Sequence, residues 1–356
     1  MNAASFSAIS ACTPSQYVGP IDPPAVGWQK AWSKLQRCSG RQGSFFFFSE
    51  RRLKQIAREV QSRCRADARL DFFHGFTPWI ATCPERPYIA WSDCTFRDYI
   101  DIFHRRELFQ PEDLQRIQEA EAAWLRKASR VLFTSEWAAR RAVRDYSLNT
   151  NLVRVVGIFG ELEMPSCDAY SGANNFVFVS TNFEAKGGRI VLEAFREVKR
   201  RHPDALLTIV GDRPSHGFRE AGVTFTGFLH KEIPGEYQRF QQILSRSRAL
   251  VNASRSDVCP VLLVEAGYVG CPVISTRRFA IPEIIDDGRT GWLLDDPSPS
   301  AMARAMNWML EHTNEYHQMR QAAWIKARTQ YSKKQFEERL RSQLRNVVSE
   351  DRVSAL

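Results

Sequence analysis

Two carboxylates stand eight residues apart in the stretch SDVCPVLLVEAGYVGCPVIST, residues 256–276. Asp257 precedes Pro260, a residue type tolerated at the first position of a helix, and Glu265 follows inside the apolar run. The run predicts a buried helix that begins near the proline. Because the positive end of a helix dipole attracts anions, both carboxylates would lie where phosphates and sugar hydroxyls bind. A structural interpretation, with Asp257 as a helix cap and Glu265 in an ion pair, accounts for the same residues.

A lysine loop is the second candidate feature, in STNFEAKGGRIVLEAF, residues 180–195. A predicted strand ends at Ser180, Lys186 and Gly187 follow, and an amphipathic helix begins. Glycine lets the backbone approach a ligand closely, and a helix N-terminus and an ammonium group both favour an anion. Two further polar loops follow strands, in VGDRP (210–214) and TGFLHKE (226–232). The lysine loop alone is compatible with an ordinary turn, but beside the carboxylate pair it favours a ligand site.

Short apolar runs alternate with amphipathic helices, which predicts parallel sheets covered by helices on both faces. The predicted strands of the first half are SFFFFS (44–49), LDFFHGF (70–76), PYIAW (87–91), VLFTS (131–135) and VRVVGI (153–158). Those of the second half are NFVFVS (175–180), ALLTIVG (205–211), VTFTGF (223–228), ALVNAS (249–254) and PVIST (272–276). A polar, turn-rich segment at 160–175 marks the domain boundary. We therefore expect Rossmann-like domains over 1–165 and 166–330, with ligands bound in a cleft between them.

The net charge, the cysteine pattern and the hydropathy of the chain limit the classes of function that fit it. The 356 residues carry a formal charge of +9, which suits anionic partners, but they contain no nucleic-acid-binding motif. The eight cysteines form no CxxC pair and have no histidines at zinc-ligand spacing, so we expect reduced thiols. No apolar run is long enough to span a bilayer, and the first residues lack the features of a secretory signal. The expected location is cytoplasmic.

At this point the sequence resembles the retaining glycosyltransferases of family four, of the "glycosyl transferases group 1" type, which have the two-domain GT-B fold. The family signature is a Glu, seven residues and a second Glu, followed by AxxxGxPVI and later by PExxxxGxxG. The corresponding residues here are Asp257, Glu265, EAGYVGCPVIST (265–276) and IPEIIDDGRTGWLL (281–294). The resemblance covers residues 175–310 well, and 331–356 is similar to the family's closing helix, which returns to the N-terminal domain.

The resemblance implies a role for each matching residue. Lys186, with Gly187 beside it, would neutralise the diphosphate leaving group, Asp257 would contact the transferred sugar, and Glu265 would bind the ribose hydroxyls. The backbone of Val258, Cys259, Pro260 and Val261 would lie near the sugar and phosphates, and Gly211, Asp212, Phe228 and Leu229 would hold the base. No metal or other cofactor is implied, because the lysine and the helix dipole stabilise the charge.

One departure from the family lies in the lysine loop. The family usually carries an arginine five residues before the lysine, and this position is Thr181. A threonine keeps one hydrogen bond to phosphate but loses a full charge and the bidentate fork. Either another basic residue, such as Arg255 or Arg277, compensates for the lost charge, or transfer is slow or absent.

The N-terminal domain offers further candidates for the acceptor side. His74 lies at a predicted strand end before a glycine, as the family's histidine does, and would contact the donor sugar unless it is a structural hydrogen bonder. Asp93 and Glu136 also close predicted strands, although Ser135 and Glu136 equally fit a helix start. The basic helix ERRLKQIAREVQSRCR (50–65) is a candidate for peripheral membrane docking, and an ordinary packed helix is the alternative.

These observations together predict a hexosyltransferase. It would move a hexose from a nucleoside diphosphate sugar to a carbohydrate or lipid-linked acceptor with retention of configuration, in the synthesis of a surface polysaccharide. Two alternatives stay open. One is a catalytically degenerate nucleotide-sugar-binding partner protein, and the other is a sugar-nucleotide epimerase on the same fold.

Overall fold

A computed structural model of the protein describes residues 3–25, 27–212 and 220–354. The chain divides into two compact units, one formed by Met1–Gly157 with Phe336–Leu356 and the other by Ile158–Gln335. The sequence had suggested boundaries at 165/166 and 330/331. Arg213 and Pro214, part of one predicted polar loop, lie outside the described residues.

The N-terminal unit contains a parallel sheet whose strands follow one another in chain order. Among its described residues the sheet has four strands, ordered β1-β2-β3-β4. The elements are α1 (Ala3–Cys12), α2 (Gly27–Cys38), α3 (Glu50–Arg63), β1 (Asp71–His74), β2 (Tyr88–Ser92), α4 (Phe96–Phe103), α5 (Pro111–Leu125), β3 (Arg130–Phe133), α6 (Glu136–Tyr146) and β4 (Val153–Val155). The predicted strands at 70–76, 87–91, 131–135 and 153–158 are therefore confirmed; three are shorter than predicted, and the one at 87–91 is shifted by one residue.

The strand predicted for SFFFFS (44–49) is wrong, because Phe46–Phe48 forms a 3-10 turn. Phe45 and Phe48 are buried in a cluster with Phe96 and Phe109. A run of consecutive aromatic residues has no periodicity, so it cannot distinguish a strand from a turn that packs rings three residues apart inwards. Tertiary packing of the rings decides the local structure here.

The C-terminal unit is built on a larger parallel sheet. In the described part of this unit it has six strands, ordered β10-β9-β8-β5-β6-β7. The elements are β5 (Asn175–Ser180), α7 (Gly188–Arg201), β6 (Leu206–Gly211), β7 (Val223–Gly227), α8 (Pro234–Arg246), β8 (Ala249–Val251), α9 (Val261–Tyr268), β9 (Val273–Thr276), α10 (Ile281–Ile284), β10 (Gly291–Leu294), α11 (Pro299–Glu311) and α12 (Thr313–Gln330). The final helix, α13 (Lys333–Ser354), spans the second unit boundary in the sequence. All five strands predicted for this half are confirmed.

Helices cover both faces of the larger sheet. On one face α7 buries Val191, Phe195 and Val198 in a cluster with α11. On the other face α9 buries almost every residue from Leu263 to Tyr268. Apart from the buried Glu265 its sequence is apolar, with no polar face to turn towards solvent, which explains why this short helix is enclosed. In the part of the chain that the structure describes, no helix combines the length and the hydropathy needed to cross a bilayer.

A buried carboxyl group ties together the elements of the N-terminal unit. Glu121 on α5 is fully buried. It accepts hydrogen bonds from the Thr77 hydroxyl at 2.6 Å, and from the Phe96 backbone N–H and the Tyr146 hydroxyl at 2.7 Å each. Burial raises the pKa of Glu121 to about 7, although these three hydrogen bonds act in the opposite direction.

This raised pKa predicts a pH-dependent stability. The folded state holds the Glu121 proton that the unfolded chain releases near pH 4.5, so its contribution is complete below that pH. The free energy of unfolding should fall by on the order of 2–3 kcal/mol as the pH rises from about 4.5 to about 7. Urea unfolding of Glu121→Gln, which has no proton to release, should show a flatter profile over this window. An unchanged slope would assign the effect to another group.

Candidate active site

Strand order brings two loops of the C-terminal unit together. The order reverses at the neighbouring strands β5 and β8, so the chain leaves the two carboxyl ends in opposite directions. Ligands of open parallel sheets bind in the crevice outside such a reversal. The lysine loop follows β5, and the loop that contains Asp257 follows β8. The topology therefore places both candidate loops at this point of the sheet.

Gly187 lets the lysine loop pack closely against the loop that follows β8. Gly187 caps α7 with a φ of +78°, and a Cβ there would lie 2.6 Å from the Cβ of Ala253, just after β8. Any other residue would therefore be strained and would push the two loops apart. Asp212 supports the other side of the loop, since its carboxylate accepts a hydrogen bond from the Phe183 N–H at 3.1 Å.

Lys186 and Asp257 meet at this point of the sheet as an ion pair between Nζ and Oδ1. Their side chains are 26% and 20% exposed, so the pair is accessible to a ligand but partly shielded from water. Partial burial strengthens the attraction between the charges relative to an exposed pair. The structure thus brings together two of the three residues that the sequence proposed for catalysis.

Glu265 is held by a residue that sequence reasoning did not single out. Its side chain is only 1% exposed, and Lys231 Nζ lies 2.6 and 2.8 Å from its two carboxylate oxygens. The Glu161 N–H donates to the same carboxylate at 2.9 Å. Lys231 comes from the loop between β7 and α8, which the sequence had marked only as a polar strand end. Its contact with Glu265 spans 34 positions, and no local pattern signals it.

Tyr268, one helical turn after Glu265, holds neighbouring backbone in place through two hydrogen bonds. Its hydroxyl accepts from the Gly160 N–H at 2.9 Å and donates to the Tyr331 carbonyl at 2.5 Å. Burial raises the pKa of Tyr268 to about 12, so the hydroxyl stays protonated as a donor at neutral pH. Glu265 and Tyr268 therefore both fix the segment that enters the C-terminal unit, at residues 160–161.

The residues proposed for base binding lie at the ends of β6 and β7. Gly211 has a φ of +98°, and its backbone passes so close to the Ser180 carbonyl that a Cβ would overlap it. A Cβ at this glycine would also lie 3.6 Å from Cε1 of the Phe228 ring, and Phe228 is 53% exposed. Leu229 instead packs against the apolar cluster beneath α8 and α9. The site therefore has one open aromatic face beside a strand end.

The backbone from Val258 to Val261 leads into α9. Val258 is buried and its carbonyl accepts from the Ala280 N–H, while Cys259, Pro260 and Val261 are partly exposed. The first helical residue is Val261, so Pro260 is the cap residue rather than the first position that the sequence suggested. The extended ψ of 113° at Pro260 explains this shift, because the proline still belongs to the loop.

The basic residues considered as substitutes for the missing arginine differ in their surroundings. Thr181 is exposed at the start of the lysine loop. Arg277 pairs with Asp287 and with Asp295, so its charge is already compensated. Arg255 is exposed and has no ion pair with any residue that the structure describes. Of these two arginines, Arg255 is therefore the one whose charge no described carboxylate compensates.

In the N-terminal unit, His74 ends β1 with its ring centroid 5.0 Å from that of Trp91. The side chain keeps an exposed edge, yet desolvation by its surroundings lowers the pKa of His74 to about 4, so the ring is neutral at pH 7. Asp93 is exposed after β2. Ser135 caps α6 by accepting from the Ala138 N–H at 3.2 Å, and Glu136 is the first helical residue. The helix-start interpretation accounts for these last two residues.

The helix predicted as a membrane-docking surface, α3, cannot serve in that way. Leu53 and Ile56, on its apolar face, are buried in the N-terminal unit. Arg52 is buried as well, where it donates to the Pro23 and Phe47 carbonyls and pairs with Asp22. The amphipathic pattern therefore describes an ordinary packed helix.

Known proteins that resemble this chain support the architecture described above. Residues 161–324 match the family model "Glycosyl transferases group 1", and this segment contains Lys186, Lys231, Asp257 and Glu265. Spore coat protein SA from Bacillus subtilis (strain 168) is 25% identical over 170 residues, 43% of this chain and 44% of that protein. The GDP-mannose-dependent alpha-(1-6)-phosphatidylinositol monomannoside mannosyltransferase from Mycolicibacterium smegmatis is 27% identical over 135 residues, 35% of each protein. The alignments span less than half of these relatives.

A solved structure extends the likeness to the whole chain. Anabaena HepE, in complex with UDP-glucose, has a TM-score of 0.60 at 15% identity, over 93% of this chain and 98% of that chain. The chain therefore has the GT-B fold, with two Rossmann-like α/β domains. Within it, residues 161–324 are similar to the group 1 glycosyltransferases.

The Lys231–Glu265 contact predicts a large cost for losing the cation. Lys231→Met should lower the free energy of unfolding by about 2–4 kcal/mol, because it leaves a buried carboxylate with only a backbone donor. Urea unfolding measures this. The double variant Lys231→Met with Glu265→Gln should recover much of the loss, since no buried charge remains. Lys186→Met, in the more exposed pair, is the matched control and should cost about 1 kcal/mol or less. Equal costs for the two lysines would contradict the assignment.

Proposed function

We propose that the chain is a retaining hexosyltransferase. It transfers a hexose from a nucleoside diphosphate sugar to a carbohydrate or lipid-linked acceptor in the synthesis of a surface glycan. The observation that carries the proposal is the Lys186–Asp257 pair at the reversal of strand order, beside the N-termini of α7 and α9. Anionic groups of a donor and hydroxyl groups of its sugar have complementary partners there.

The charges of the pair suit the reaction. When the bond between the anomeric carbon and the diphosphate oxygen breaks, negative charge develops on the leaving diphosphate. The Lys186 ammonium and the N-terminus of α7 stabilise that charge. Asp257 neutralises Lys186 in the structure, so an incoming diphosphate would exchange with the carboxylate. Asp257 is then free to accept hydrogen bonds from the hydroxyls of the transferred sugar.

Glu265 and Phe228 would bind the nucleoside. A carboxylate can accept hydrogen bonds from both ribose hydroxyls, but Lys231 contacts both oxygens of Glu265 in the structure. Ribose binding at Glu265 therefore requires Lys231 to give up at least one of these contacts. The exposed face of Phe228, beside Gly211 and Asp212, offers a stacking surface for the base.

We propose that no metal is required, because Lys186 and the helix termini occupy the position where a cation would act. Activity should accordingly be insensitive to EDTA. His74 is proposed to contact the donor sugar as a neutral hydrogen-bonding group, given its lowered pKa. The similar proteins differ in the nucleotide base and the sugar of the donor. The mycobacterial relative is GDP-mannose-dependent, whereas HepE was solved with UDP-glucose.

The alternative of a degenerate nucleotide-sugar binder has one observation in its favour, namely Thr181. The exposed threonine provides no charge where the family carries an arginine. A protein that binds a donor through Lys186 but lacks this charge would hold the nucleotide without turning it over. Binding and turnover must therefore be measured separately.

A calorimetric panel of UDP, GDP, ADP and CMP tests the donor site. One nucleotide should bind, and Lys186→Ala should weaken its binding about 10- to 100-fold, since a charge-assisted contact to the diphosphate is lost. Lys127→Ala, which removes an exposed lysine from the N-terminal unit, is the control and should leave the affinity unchanged. If none of the four nucleotides binds, the donor site is refuted.

Turnover distinguishes the enzyme from its alternatives. With the nucleotide identified, release of nucleoside diphosphate from the corresponding sugar donors should depend on a carbohydrate or lipid-linked acceptor. Asp257→Asn should lower kcat about 100-fold or more while diphosphate binding persists, because the sugar contact rather than the phosphate contact is altered. NMR of the product should show the anomeric configuration of the donor. Binding without turnover would favour the partner protein, and isomerised donor without an acceptor would favour the epimerase.

A further inference from the structure

The helix α2 carries its apolar side chains outwards. Trp28, Trp32 and Leu35 are 65%, 57% and 60% exposed. With Ala31, which is also exposed, they lie three and four residues apart, so they share one face of the helix. We call these four residues the α2 apolar face. A contiguous apolar surface with two tryptophans in water marks an interaction site.

The opposite side of α2 attaches the helix to the N-terminal unit. Ser33 is fully buried, and its hydroxyl donates to the Ser44 carbonyl at 2.7 Å. Gly43 lies so close that a Cβ there would come 2.5 Å from the Ser33 hydroxyl. The helix therefore packs through a small polar residue. Its orientation is the reverse of an ordinary surface helix, which buries its apolar stripe.

All charged residues of α2 are basic. The sequence GWQKAWSKLQRC contains Lys30, Lys34 and Arg37 and no acidic residue. Lys30 and Lys34 are exposed, while Arg37 is half-buried with its guanidinium 5.3 Å from the centre of the Phe109 ring. Two acidic residues lie near the tryptophans, and each is paired: Glu50 with Lys54 at 3.6 Å and Asp113 with Arg116 at 2.7 Å. The helix thus presents positive charge flanking an apolar face.

We propose that the α2 apolar face docks the protein on an anionic phospholipid surface. Tryptophan suits the boundary between headgroups and acyl chains, because its ring is apolar while its indole N–H donates to polar groups. Long lysine stems reach from the helix to lipid phosphates as the apolar face enters the boundary. The same combination on a partner protein would need acidic groups around an apolar groove, whereas a lipid surface provides both features throughout.

Sedimentation with sucrose-loaded vesicles tests the proposal on the full chain, without donor or acceptor. The protein should bind vesicles of equal phosphatidylglycerol and phosphatidylcholine at least tenfold more tightly than pure phosphatidylcholine. Trp28→Ser with Trp32→Ser should lower this binding tenfold or more. Lys30→Ala with Lys34→Ala should lower it about fivefold per lysine and reduce its salt dependence. Ile325→Ser, which removes an exposed apolar residue from α12, should change nothing.

Two results would overturn the proposal. One is vesicle binding that the tryptophan and lysine variants leave unchanged. The other is a concentration-dependent dimer in lipid-free buffer, measured by analytical ultracentrifugation, that the tryptophan variant abolishes, since the face would then join two copies. Circular dichroism of each variant checks folding, and the single variants Trp28→Ser and Trp32→Ser repeat the test if the double variant is unfolded. Because no nucleotide is present, the outcome is independent of the proposed transferase activity.

Discussion

The pairing of β5 with β8 is the constraint on which the candidate site depends. These two strands are neighbours in the sheet although β6 and β7 lie between them in the chain. Their following loops must therefore diverge from one point, and the helices α7 and α9 begin beside it. Gly187 lets the backbones of these loops approach closely, because a Cβ there would overlap Ala253, and Gly211 does the same for the ends of β5 and β6, where a Cβ would overlap the Ser180 carbonyl. Lys186 and Asp257 meet only because the sheet brings these loops together.

Two lysine–carboxylate pairs of different burial follow from that arrangement. Lys186–Asp257 keeps access to water on both sides, so its partners can exchange for a ligand at modest cost. Lys231–Glu265 has a carboxylate that is almost fully buried and also accepts the Glu161 N–H. Removing the lysine there leaves a desolvated charge, which is far more expensive. The first pair is suited to exchange during a reaction cycle, and the second to holding the loop before α8 against α9.

Some of these features can be predicted from the sequence and others cannot, and the difference has physical causes. Strands such as 175–180 were predictable because a short apolar run flanked by turn residues is typical of a buried strand in an α/β chain. Lys186, Asp257 and Glu265 were identifiable because their spacing and their glycines are local. Lys231 was missed because its contact with Glu265 depends on strand order rather than on spacing. The exposed face of α2 was missed for a related reason. Helical periodicity identifies a face but not the direction in which it points, so α3 and α2 look alike in sequence and differ only in how they pack.

The charge balance of the site limits how it can attract a donor. Each lysine is neutralised by its carboxylate, so the two pairs contribute little net field to a nucleoside diphosphate. The attraction would have to come from groups whose charge no described carboxylate cancels. The N-termini of α7 and α9 provide partial positive charge, and Arg255, exposed in the loop after β8, provides a full one. In the proposed reaction a diphosphate would compete with Asp257 for Lys186, and the displaced carboxylate would be left beside the sugar. Binding of the leaving group and readiness of the sugar contact would then be coupled through one ammonium group, so a neutral pair could serve an anionic substrate.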